Sequence, residues 1–221
     1  MQGSADGTMT TDLSTLLKNL TERFPPEHPI ELRPSAGPDA WTRSESRFPD
    51  GHARRWFAAT DGQANTLPAF LAHSFCSLDE ARDALRIADD IRAEADRCWV
   101  EPEWLAIAGD GAGQHIMIDD RDGRVLRVAH DDDYIDVLAP SPEAWIASLL
   151  RDLDEGVLAW DETFGLIETE ELARIRAHHE KVAARQQPGP LPLKHKIGLS
   201  MTLLGLTVLM ALFIWFLETH R

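Results

Sequence analysis

Cysteine is scarce. Cys76 and Cys98 are the only two in 221 residues, and no C-x-x-C occurs. A disulfide framework is thereby excluded, a structural zinc site lacks ligands at regular spacing, and a reducing compartment is the simpler expectation. Positive charge is also short: 22 Lys and Arg face 37 Asp and Glu, a net charge of -15. Binding nucleic acid by neutralising phosphates needs the opposite balance. A basic protein partner suits this surface, and so does plain solubility. The phosphate-loop pattern, G-x-S-x-G and H-E-x-x-H are all missing; a catalytic constellation assembled only in space stays open to a motif search, and no bound cofactor or metal is expected. The opening MQGSADGTMT has no apolar core, and nothing there reads as an export signal.

What is present begins at the other end. Ile197 to Leu217 reads IGLSMTLLGLTVLMALFIWFL without a charge. A helix of that length reaches about 32 Å, enough for a hydrocarbon core of about 30 Å. The sequence thus predicts a transmembrane helix over 197–217. Lys194 and Lys196 precede it and Arg221 alone follows. The positive-inside bias then puts the rest of the chain in the cytoplasm, held at the inner membrane by a single-pass C-terminal anchor. Gln186 to Lys196 carries three prolines and a glycine and is read as a Pro-rich linker over 187–196. The anchor region holds three basic residues and one acidic, Glu218, so the remainder is more acidic than the whole.

Upstream, residues 1–10 read as a flexible N-terminus. Leu13, Leu16, Leu17, Leu20 and Phe24 predict a helix over Thr11–Phe24, stopped by Pro25 and Pro26. Two short helices are expected at about 36–47 and 51–60, and a strand at Phe70–Cys76. Ser77 and Glu80 form a capping box before a helix that turns Ala81, Leu85, Ala88 and Ile91 to one side. Four short runs follow, Trp104–Ala108, His115–Ile118, Arg124–Val128 and Tyr134–Leu138, separated by Gly- and Asp-rich turns, and they predict an antiparallel meander. Ser141 and Pro142 open a helix burying Trp145, Leu149, Leu150 and Leu153. Val157–Trp160 reads as a last strand, and Thr169–Arg185 as a charged helix within a 161–186 segment.

The acidic turns supply the binding candidates. Asp119, Asp120 and Asp122 precede Gly123, and Asp131, Asp132 and Asp133 form the next cluster. The first misses the calcium-loop phase, because counting Gly123 as the sixth position leaves Ile118 and Ala129 where carboxylates are needed. These six aspartates are therefore candidates for contacting a basic partner. Gly109-x-Gly111-x-Gly113 has no following lysine and reads as a turn. His178 and His179 are adjacent, the wrong spacing for two ligands on one helical face.

Taken in order, Trp104, Ala106-Ile107-Ala108, Asp110-Gly111-Ala112-Gly113, Ile118-Asp119, Gly123-Arg124-Val125, His130-Asp131, Leu138-Ala139, Ser141 and Trp145 resemble the SUKH superfamily, named after the Smi/Knr cell-wall assembly regulators. Phe48-Pro49, Trp56-Phe57 and Asp61-Gly62 are similar to its earlier block, and Leu67 to Ala84 to its following strand and helix. Ala106 stands where the family commonly has proline, and Gln114 where it has asparagine. The resemblance covers about residues 11–160. It implies an α+β domain with helices packed on a bent four- to five-stranded antiparallel sheet, without catalysis. Trp104, Asp110, Gly111, Gly113, Asp119, Gly123, Ser141 and Trp145 would be structural. Bacterial members look like immunity proteins that neutralise a polymorphic toxin; others look like regulatory scaffolds for cell-envelope assembly.

Overall fold

The structure is a computed structural model and describes residues 12–41, 47–48, 51–94, 98, 100–129 and 134–186. The expected N-terminal tail at 1–10, the cluster Asp131–Asp133, the Pro-rich linker and the Ile197–Leu217 span lie outside the described residues. Among the described residues, no helix is long and apolar enough to cross a membrane.

The first helix, α1 (Leu13–Thr21), buries Leu13, Leu16, Leu17 and Leu20, the stripe its spacing predicts. It stops before Phe24, which is still buried. The helix expected at 36–47 does not form over its described part. Pro34, Gly37 and Pro38 disfavour helix there, and over residues 36–41 the chain makes a 3-10 turn at Pro38–Ala40. The amides are used across the fold instead: Ala36 N–H donates to the Phe57 carbonyl at 2.9 Å, and Arg33 N–H to that of Gly62 at 2.8 Å. Helix α2 (His52–Ala59) follows and buries Ala53, Trp56 and Phe57.

Strand β1 is only Ser74–Phe75, shorter than the sequence suggests. Residues 70–73 are spent on a tight reversal, in which His73 N–H donates to the Phe70 carbonyl at 2.8 Å. Leu71 and Ala72 both adopt positive φ, 45° and 67°, at a cost of about 1–2 kcal/mol per residue. Helix α3 (Leu78–Glu94) opens with the predicted capping box: Ser77 N–H donates to Glu80 Oε2 at 2.7 Å, and Glu80 N–H to Ser77 Oγ at 3.2 Å.

The four predicted runs become β2 (Trp104–Gly109), β3 (Gln114–Asp119), β4 (Val125–Ala129) and β5 (Tyr134–Ala139). With β1 they form one antiparallel sheet in the order β1-β2-β3-β4-β5. Register shifts at Ala106/Ala108 and Val125/Leu126 are the irregularities that bend strands and increase twist. Consecutive residues of β2 and β4 are buried, so both faces of the middle of the sheet are covered. Edge strand β5 instead alternates, leaving Ile135 and Val137 half exposed.

Helix α4 (Pro142–Asp154) is capped by Ser141, whose Oγ accepts the Ala144 N–H at 3.1 Å. It buries Trp145, Ile146 and Leu149. Trp145 meets Trp56 and Phe70 at 6.0 Å and Phe75 at 6.3 Å between ring centroids, tying α2, α4 and the sheet edge into one aromatic centre. The single strand expected at Val157–Trp160 is one arm of a hairpin, β6 (Leu158–Asp161) and β7 (Gly165–Glu168). Leu166 of β7 joins the main core. Gly165, at φ 70°, sits where an added Cβ would lie 2.5 Å from the Pro68 carbonyl oxygen. The last helix, α5 (Thr169–Gln186), starts in this compact unit, which runs to Ala173. The second unit begins at Arg174 and contributes, among its described residues, the later turns of α5.

Candidate protein-binding surface

The β3–β4 turn concentrates charge, and its three aspartates have three different fates. Asp119 ends β3 opposite Trp104 in the register, and its side chain is fully buried. It accepts from Trp104 Nε1 at 3.1 Å, from Arg121 Nε at 2.9 Å and from a terminal guanidinium nitrogen of Arg121 at 2.7 Å. Burial by itself would raise its pKa. Hydrogen bonds from the Arg121 side chain, the Arg121 amide and Trp104 outweigh that, so the carboxyl lies below its ordinary range. The guanidinium of Arg121 is held more firmly charged in return, chiefly by that bond to Asp119.

Asp120 is also buried, at 1 % exposure. One carboxylate oxygen accepts the Ala53 N–H at 2.9 Å and the other the Gly51 N–H at 3.2 Å. Gly51 precedes α2 and has no side chain to cap it, so Asp120 caps that helix from the turn after β3. Asp119 and Asp120 therefore serve the interior, with no carboxylate surface to offer a partner.

Asp122 alone of the three reaches solvent, its side chain 46 % exposed and paired to Arg124 Nε at 2.7 Å. Gly123 follows at φ 82°, and a Cβ there would meet His52 Nδ1 at 2.6 Å. The turn is thereby seated against the first residue of α2. The other residues of the sequence motif are structural in position. Trp104 and Trp145 are buried. Asp110 accepts the Ala112 and Gln114 amides at 2.8 and 3.0 Å, closing the turn that contains Gly111 and Gly113.

Asp122 borders an open groove of about 820 Å³ that is also lined by Asp12, His52, Arg55 and Glu143 and by the apolar Leu13, Leu16, Ala144 and Ala147. The starts of α1, α2 and α4 meet here, since Asp12, Gly51 and Ser141 are their N-caps. Asp12, Asp122 and Glu143 thus set three carboxylates beside the cation Arg55 and the apolar residues of the same groove. Asp12 and Glu143 were not singled out by their sequence neighbourhoods. Each reads as an ordinary acid at a helix start, and only the packing of α1 beside α4 brings them to Asp122. Among the described residues, no cluster of His, Cys, Asp and Glu is arranged to hold a metal ion.

Residues 53–148 match the model of the SMI1 / KNR4 family (SUKH-1). They run from the first turn of α2 to the middle of α4 and contain the whole five-stranded sheet. No curated protein matches the chain.

Proposed function

Because the domain spanned by residues 53–148 belongs to the SUKH superfamily, we propose that this chain is a non-catalytic protein-binding module that neutralises a basic toxin, as the bacterial immunity proteins of that superfamily do. The family match carries the reading. The net charge of -15 supports a cationic partner, since opposite charge speeds association and disfavours wrong partners. The groove bordered by Asp12, Asp122 and Glu143 is the surface we assign to that contact. Ile197–Leu217 would tether the module to the cytoplasmic face of the inner membrane, placing it where an incoming toxin arrives.

The test is co-expression of the full chain with toxins encoded beside it. Rescue by the parent, weakened by Asp122→Lys with Glu143→Lys, supports the reading. A parent that rescues growth from none of them sinks it. The uninterrupted apolar run also favours a second reading, a Smi/Knr-type scaffold for cell-envelope assembly. That reading predicts an envelope defect on deletion, with envelope enzymes recovered only from the membrane fraction. Release of the full chain into a detergent-free supernatant would remove the tether from both.

A further inference from the structure

Away from that groove, a smaller cavity of about 190 Å³ opens between β5, α4 and the β6–β7 hairpin. Phe70, Leu71, Leu138, Trp145 and Val157 line it, and Asp152 and Glu168 also border it. Pockets for whole small molecules run from about 300 Å³ upward, whereas this one is of the order of a single large apolar side chain. Trp145 is nearly fully buried, but Val157 is half exposed, so the cavity has an apolar interior and an accessible lip.

A second observation comes from the backbone. A reversal with positive φ at both central residues is the ordinary place for Gly or Asn, yet this chain holds Leu71 there at φ 45°. The strained conformation is closed locally by His73 N–H to the Phe70 carbonyl at 2.8 Å and clamped from outside as well: Leu71 N–H donates to the Leu166 carbonyl at 3.0 Å and Ala72 N–H to that of Phe164 at 2.8 Å. A glycine at 71 would relieve the strain and delete part of the cavity wall. Strain kept in place by its surroundings at a cavity marks a position held for use.

The electrostatics choose the occupant. Glu168 is exposed on β7. Asp152 pairs with its exposed neighbour Arg151 at 2.9 Å, a surface contact that a partner's cation readily replaces. From the cavity's size, its left-handed leucine and its acidic border, we propose that it receives one large apolar side chain of a protein partner, flanked by Lys or Arg. The inference rests on the reading of the chain as a protein-binding module and adds an anchoring point to it.

A random peptide display library selected against the full chain in detergent micelles tests this. The expected peptides carry Leu, Met or Phe beside Lys or Arg. Their affinity falls about tenfold or more for Leu71→Gly, which melts no lower than the parent, and for Ser148→Trp, which fills the cavity from α4. The proposal is overturned if no peptide is selected, if the winners lack a cationic neighbour, or if they bind both variants as tightly as the parent. Peptides that bind elsewhere remove the cavity and leave the protein-binding reading standing. Peptides that seat in the cavity, with no toxin neutralised in cells, remove the immunity role alone.

Discussion

The Asp120 carboxylate accepts the Ala53 amide at 2.9 Å across 67 residues of sequence, so the turn after β3 completes the first turn of α2. Asp120→Ala leaves the Gly51 and Ala53 amides without that acceptor in a buried position. The expected loss is about 1–3 kcal/mol of unfolding free energy, read from the urea midpoint. An unchanged midpoint would show that the cap contributes nothing.

Gly123→Ala should be worse than an ordinary turn substitution. The new methyl meets the His52 ring, and φ 82° is unfavourable for alanine. A loss of about 1–2 kcal/mol is expected from the backbone alone, with more from the clash. Adding His52→Ala should recover the clash but not the backbone share. Complete recovery in the double variant would mean that the φ angle costs nothing here.

His73 makes the fold sensitive to mild acid. Its Nδ1–H donates to the Leu71 carbonyl at 2.8 Å, while Nε2 is buried without a hydrogen-bond partner. Burial lowers its pKa, against smaller upward pulls from the Leu71 carbonyl and the charge of Asp110; the charge of Arg127 lowers it a little further. The unfolded chain therefore binds the proton more readily, and stability falls as pH drops below about 6.5 toward the lowered folded pKa. His73→Gln should flatten the parent's loss of stability over that window. A parallel pH profile for the two proteins would refute this.

Asp119 acts at lower pH and in the same sense. Its depressed pKa means stability that is fully present above the ordinary carboxylate range and lost as pH falls through the folded value. Asp119→Asn should weaken the protein at neutral pH and show a shallower acid limb. An equally steep limb in the variant would place the acid sensitivity elsewhere.

Cys76 offers a chemical check on packing. Burial, with Glu80 adding to it, pushes its thiol up to about 12. In a Cys98→Ala background it should resist maleimide at pH 8 until urea is added. Rapid labelling of the folded protein would contradict the raised thiol.

The meander and α4 were legible because their signals are local. Alternating runs end at Asp-Gly turns, and Ser141-Pro142 announces a helix start. The capping box at Ser77 and Glu80 is likewise contained within four residues. The reversal at 70–73 lacks the Gly or Asn that usually marks one, and part of what holds it comes from Phe164 and Leu166, far along the chain. The second arm of the β6–β7 hairpin was missed with it. The acidic turn shows the sharpest limit. Asp119, Asp120 and Asp122 look alike in sequence, but Trp104 claims the first and α2 the second, and no local pattern distinguishes them from the third.

The clamp that Phe164 and Leu166 place on Leu71 and Ala72 sets an order of events during synthesis. The early reversal can close on hydrogen bonds of its own, but its outer clamp cannot form until a stretch made more than ninety positions later has left the ribosome. A nascent chain halted near residue 160 would keep the fold unlatched, however well its sheet had already paired.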